Sequence, residues 1–172
     1  MITSARNTIR ALIAPQHKLA FTARLWEDLR CTLVERGDGV RESGAFLLGR
    51  SDRSGRGVIE HYVPYDDLDP HCLDSGIVRF NGSGYGPLFS ICREKNLAVL
   101  ADIHTHEGEA FLSGADRDHP MMSQAGHVAI IMPGYALRRV PLRQLGLYSY
   151  QGRKTWQDWS GAVARKKLWI GW

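Results

Sequence analysis

An apolar segment, Leu97-Ala98-Val99-Leu100, runs without a turn signal into Ala101-Asp102-Ile103-His104-Thr105-His106, and this junction constrains the chain more than any other stretch. The apolar run predicts a buried strand over residues 97–103, with the two histidines at its end. Residues two apart on an extended chain project to the same side, so His104 and His106 share a face. A short loop, Glu107-Gly108-Glu109-Ala110-Phe111-Leu112, then leads to Ser113-Gly114-Ala115-Asp116, which returns a carboxylate to the same neighbourhood. Two imidazoles and a carboxylate make a zinc site with one position left for water, whose pKa such a site lowers to about 7. A hydrolytic activity is therefore expected.

The remaining elements are read around that strand. Residues 20–35 carry Phe21, Leu25, Trp26, Leu29, Leu33 and Val34 along one stripe, which predicts a helix ended by Gly37 and Gly39. Ala45-Phe46-Leu47-Leu48-Gly49 suits a buried strand, paired through a hairpin loop over 51–57 with a second strand at 58–63. An Asp- and Pro-rich excursion over 64–76 precedes an expected strand at 77–80. A second helix is expected over 86–96, a brief helix or loop after Asp116, and strands at 127–132 and 143–150. Helices and strands interleave in no strict order, which favours a mixed α/β or α+β sandwich around one sheet.

The chain of 172 residues fits one domain, and its 44% hydrophobic content suits an ordinary globular core. A core over about residues 20–150 is expected, followed by a Trp-rich C-terminal extension over 151–172. The net charge of +4 is mild. Much of the excess lies in Arg138, Arg139, Arg143 and the basic tail, read as a solvated face. Without an aromatic-interleaved basic motif, nucleic acid is not the expected partner. Cys31, Cys72 and Cys92 are odd in number and contain no Cys-x-x-Cys pair, which argues against a disulfide framework. No segment has the length to span a bilayer, and Met1 to Asn7 lack a signal peptide's apolar stretch. Cytoplasmic residence with reduced thiols is the default expectation.

Each candidate group has a second reading. His104 and His106 alone are a metal pair or strand histidines satisfied by their neighbours. Ser113 and Asp116, three apart, face the same way in a turn of helix, and Ser113 also serves as an N-cap. Glu42, just before the buried strand, is either the proton carrier that hydrolysis needs or a surface acid flanking a strand.

Taken together, Glu42-Ser43-Gly44-Ala45-Phe46-Leu47-Leu48-Gly49, His104-Thr105-His106 and Ser113-Gly114-Ala115-Asp116 resemble the signature of the JAMM (MPN+, Mov34/JAB) zinc metalloproteases, in order and context over about residues 20–150. The resemblance implies the MPN/JAB sheet, cytidine-deaminase-like and flanked by helices. It implies His104, His106 and Asp116 as Zn2+ ligands, Glu42 as general acid/base, and Ser113 as donor to the oxyanion of the tetrahedral intermediate. It further implies an isopeptidase or peptidase acting on a ubiquitin-like protein or its conjugates, similar to compact bacterial members that accompany conjugation-operon enzymes, including antiphage systems. Processing of a sulfur-carrier protein and a silent scaffold of the same fold are the alternatives, with a DNA-associated, RadC-like member third.

Two features depart from the family pattern. The loop between His106 and Ser113 is one residue shorter than is common there, with Gly108 able to absorb the loss. Glu107 stands where a Pro usually follows the second His, and Glu107 and Glu109 are read as solvated rim acids. His71-Cys72 and His119-Pro120 lack zinc-finger spacing and are read as structural or surface groups, with His119 a candidate to line the site. Asn81-Gly82-Ser83-Gly84-Tyr85-Gly86 lacks a phosphate-loop fingerprint and is read as a flexible loop near the substrate groove.

Overall fold

The computed structural model describes residues 17–171. The expectation for Met1 to Asn7 falls outside them, as does Trp172. In chain order the elements are β1 (Leu19–Thr22), α1 (Ala23–Gly37), β2 (Gly44–Ser51), β3 (Gly57–Pro64), α2 (Tyr65–Leu68), α3 (Tyr85–Lys95), β4 (Ala98–Thr105), α4 (Gly114–Asp118), β5 (Val128–Met132), β6 (Gly146–Gly152), β7 (Thr155–Asp158), α5 (Ala164–Lys167) and β8 (Leu168–Gly171). The eight strands form one mixed sheet in the order β7-β6-β5-β4-β2-β3-β1-β8, flanked by helices. The expected mixed α/β class is observed.

The stripe on the first helix divides at Thr22. Phe21 lies in β1, whose register with β3 and β8 is parallel, and Thr22 Oγ1 caps α1 by accepting from Leu25 N at 3.1 Å. A helix beginning there satisfies one of its four orphan N–H groups at once. Asp38 ends the helix in the left-handed conformation. The helix lays Leu29 and Leu33 on one side of the sheet, against Leu47, Ile103, Ile130 and Leu147. Each such Leu, taken fully out of water, contributes about 1.5–3 kcal/mol.

On the opposite side, α2 and α3 cover Phe46, Leu48 and Val63 with Tyr65, Leu88 and Cys92. Two register shifts allow this division. Leu48 pairs with His61 but Gly49 with Ile59, so β3 carries an extra residue, Glu60. Leu47 pairs with Ala101 but Leu48 with Val99, so β4 carries an extra residue, Leu100. A bulge reverses which face alternate residues take. Ile59 and Tyr62 therefore face α1 while Val63 faces α2, although a period of two would place Ile59 and Val63 together.

Three expectations are corrected. Residues 77–80 form no strand; their backbone is diverted into loop contacts, with Arg79 N donating to Cys72 O at 2.8 Å and Val78 N donating to Glu42. The strand expected from Arg143 begins at Gly146, because Leu142 to Gln144 make a 3-10 turn. The Asn81–Gly86 stretch is a capped 3-10 turn entering α3, with Asn81 Oδ1 accepting from Ser83 N at 2.9 Å and Asn81 N donating to Asp69 Oδ2 at 2.8 Å. The Trp-rich tail does dock: β8 runs beside β1, pairing Leu168 with Leu19 and Ile170 with Phe21. Among the described residues, no helix is long and apolar enough to cross a membrane, and Cys31, Cys72 and Cys92 are all free.

Candidate metal centre

The site assembles where the C-terminal end of β4 meets the start of β2. The antiparallel register sets Gly44 opposite His104 and Ala45 opposite Ile103. Beyond the strand end, Ser43 N donates to Thr105 Oγ1 at 3.0 Å and Thr105 N donates to Ser43 O at 2.8 Å. Glu42 is thereby carried to the level of His106. Its own backbone is tied to Gly76 O at 2.9 Å, and its Oε2 accepts from Val78 N at 3.1 Å. The other oxygen, Oε1, stands 3.9 Å from His106 Nε2. A carboxylate with one oxygen pinned by a backbone N–H and the other turned toward an imidazole is suited to moving a proton beside that group.

His104 and His106 are buried, and their Nε2 atoms lie 3.0 Å apart. Asp116 closes the triangle, with Oδ1 3.4 Å from His104 Nε2 and Oδ2 3.5 Å from His106 Nε2. Tetrahedral coordination with bonds of about 2.0–2.1 Å puts neighbouring donor atoms about 3.3 Å apart. The imidazole pair at 3.0 Å and the contacts of 3.4 and 3.5 Å, which two different oxygens of Asp116 make with the two rings, lie near that spacing, and one donor atom from each residue falls within 4.8 Å of the others. The donor set of two imidazoles and one carboxylate is one that a divalent transition ion accepts. The residues present fit a metal ion.

Local sequence explains how Asp116 is held. Ser113 is the N-cap of α4, its Oγ accepting from Asp116 N at 3.1 Å, while Asp116 Oδ2 accepts from Ser113 N at 2.8 Å. This reciprocal box aims the carboxylate back toward the histidines. The shortened loop does not displace it. His106 N donates to Met132 O at 3.0 Å, Gly134 N to Gly108 O at 3.2 Å and Tyr135 N to His106 O at 2.9 Å, which anchors the loop to the end of β5. Gly134, Tyr135 and Ala136 all take positive φ to make those bonds. Only glycine does so without strain, and backbone strain of this kind is affordable where several bonds over-determine it.

Protonation follows from these contacts. Burial works against a charged His104, but the Asp102 and Asp116 carboxylates overcome it and raise its pKa to about 10. Burial likewise opposes charge on Asp116, and His104 and His106 outweigh it, holding the carboxyl well below its usual range. Behind His104, Asp102 is also held below the usual carboxylate range against the cost of burial, by the two imidazoles on either side of it.

The structure thus brings Glu42, His104, His106, Ser113 and Asp116 together. Among the described residues, His104, His106 and Asp116 form the cluster able to hold an ion. Glu107, Glu109 and His119 are exposed and lie outside it. His71 pairs with Asp74 at 2.9 Å in solvent, and burial pushes the neighbouring Cys72 thiol up to about 12. Sequence reasoning missed three residues of the surroundings: Asp102, Tyr65 and His127. A charged residue inside an apolar strand, Asp102, was the available signal. Phe111, 58% exposed, sets its ring edge-on against His106 at 5.8 Å between centroids.

No protein-family model matches the chain. Over 77 residues it is 23% identical to "Probable metalloprotease y4jG" of Sinorhizobium fredii, a match covering 45% of this chain and 48% of that protein. The chain thus spans about half the length of that relative. Its fold is similar to the solution structure of protein DSY2949 from Desulfitobacterium hafniense, with a TM-score of 0.61 at 15% identity, covering 88% of this chain and 92% of that one. A protein from Salinibacter ruber gives a TM-score of 0.49 at 15% identity over 77% of this chain and 84% of that one. That relative is described as a probable metalloprotease, and this chain carries a His-His-Asp cluster able to hold a metal ion.

Proposed function

We propose that this chain is a zinc-dependent peptidase or isopeptidase of the JAMM type, acting in the cytoplasm on a ubiquitin-like protein or its conjugates, in partnership with bacterial conjugation enzymes and in an antiphage setting. The observation that carries the reading is the convergence of His104, His106 and Asp116, one donor atom of each within 4.8 Å of the others, with Glu42 Oε1 3.9 Å from His106 Nε2. His104, His106 and Asp116 would hold the zinc ion, which would supply Lewis acidity and lower the pKa of water to about 7.

Glu42 takes the proton from the attacking water and returns it to the leaving amine, with Oε2 anchored on Val78 N throughout. Ser113 Oγ accepts from Asp116 N and has its own proton left to donate to the carbonyl oxygen as charge develops there. The exposed ring of Phe111 offers an apolar contact beside the scissile bond, where an extended substrate tail lies against the loop. Retention of all four metal and acid/base groups weighs against a silent scaffold.

The decisive experiment measures metal content and cleavage of a ubiquitin-like conjugate in Glu42→Gln and His104→Ala. The first keeps its zinc and loses about 10²- to 10⁴-fold in turnover; the second loses both. Unchanged turnover in both variants would falsify the reading.

A further inference from the structure

We propose that Asp102, clamped by Tyr65 and His127, is the positioning carboxylate of the metal centre, selecting the tautomer and ring orientation in which His104 presents Nε2 to the ion. This rests on reading the cluster as a metal site.

Burying a charge is costly unless it is paired. Asp102 is 2% exposed in the middle of β4, where an unpaired carboxylate is strongly destabilising. It has three neighbours. Oδ1 accepts from His127 Nε2 at 2.6 Å, and Oδ2 accepts from the Tyr65 hydroxyl at 2.9 Å. Oδ2 also faces His104 Nδ1 at 3.9 Å, and that nitrogen is buried with no hydrogen-bond partner.

For His104 to offer a lone pair at Nε2, its proton must sit on Nδ1. At 3.9 Å the contact is electrostatic rather than a hydrogen bond, and it favours the tautomer whose N–H points at the carboxylate. A carboxylate behind a ligating imidazole also raises the basicity of the ligand.

The surrounding backbone is arranged to let this clamp form. Tyr65 is fully buried, and burial together with the charge of Asp102 keeps its hydroxyl protonated as a donor. Its ring passes directly over Gly44, the residue paired with His104; a Cβ at Gly44 would run into Tyr65 and stand 2.7 Å from Ile103 O. His127 is fixed from both sides, its N–H donating to Gln124 O at 3.0 Å and its carbonyl accepting from Tyr150 N at 2.9 Å. Three separate segments therefore meet on one carboxylate, directly behind one ligand.

The test is zinc affinity, measured by competition with a chromophoric chelator, alongside the Tm of the metal-free protein and ¹⁵N shifts of the His104 ring in the zinc-loaded protein. Asp102→Asn is expected to weaken zinc binding about 10- to 100-fold, with ring shifts moving away from the Nδ1–H tautomer. His127→Gln and Tyr65→Phe keep the carboxylate with one clamp removed; both should weaken zinc binding by a smaller factor, and they carry the test if Asp102→Asn does not fold. Wild-type zinc affinity in every variant that folds overturns the proposal, as does a fall in Tm with affinity and ring shifts unchanged. A wild-type protein that binds no zinc overturns the metal reading itself, whereas tight wild-type binding with an indifferent Asp102→Asn overturns only this proposal.

Discussion

The two faces of β4 differ sharply. Toward α1 it presents Ala101 and Ile103, packed with Leu47 and Ile130 in a wholly apolar layer. Toward α2 it presents Asp102 and His104, buried as deeply but held by hydrogen bonds and charge contacts to Tyr65, His127 and Asp116. One strand thus serves two purposes on residues that alternate along it. The apolar face contributes stability in proportion to the area it removes from water, whereas the polar face returns its desolvation cost only if every partner is in place. Stability and ligand geometry are therefore separable by mutation.

The largest effect should come from the apolar face. Leu47→Ala is expected to destabilise the protein by about 2–5 kcal/mol in denaturant titrations, with zinc affinity unchanged; a parallel loss of affinity would break the separation. Next is the proton-linked behaviour of the polar face. Because the His104 pKa is raised to about 10 in the metal-free fold, the stability it lends is complete below about pH 6.5 and is lost as pH climbs toward 10. Melting of the metal-free protein across that window should show a loss on the order of a few kcal/mol. A flat profile would mean that His104 is not charged there.

Gly44→Ala addresses the contact between the faces. The added methyl meets the Tyr65 ring, and overpacking of this kind costs about 1–3 kcal/mol. Calorimetry should report that loss together with weaker zinc binding, since the ring that moves is the one clamping Asp102. The smallest effect is expected at Ser113→Ala. It removes the side-chain cap of α4 at about 1 kcal/mol, yet leaves the Ser113 N–H that holds Asp116, so metal content should stay at the wild-type value while turnover falls.

Much of the site was legible before any coordinates because its geometry is local. His104 and His106 share a face by strand periodicity, and Ser113 with Asp116 close a capping box within one turn. Glu42 was legible only through the resemblance, since nothing in its own neighbours ties it to residues sixty positions away. The strand expected at 77–80 failed for an instructive reason. The β-branched and aromatic content of Ile77, Val78 and Phe80 is genuine, but the N–H of Val78 is taken by the Glu42 carboxylate and that of Arg79 by Cys72, so no partner strand receives them. The helix expected from residue 20 was divided because Leu19 to Thr22 fill the gap between β3 and β8, a demand made by neighbours far along the chain.

By itself the sequence determined what short-range stereochemistry controls: the two imidazoles on one side of a strand, the capped carboxylate, and the amphipathic stripe of α1. Tertiary structure alone decided the rest. The extra residues Glu60 and Leu100 shift the register of two strand pairs, and the sheet order brings Tyr65 and His127 onto Asp102. A bulge and a long-range pairing are selected by the summed packing of both faces, a quantity that no local window of residues contains.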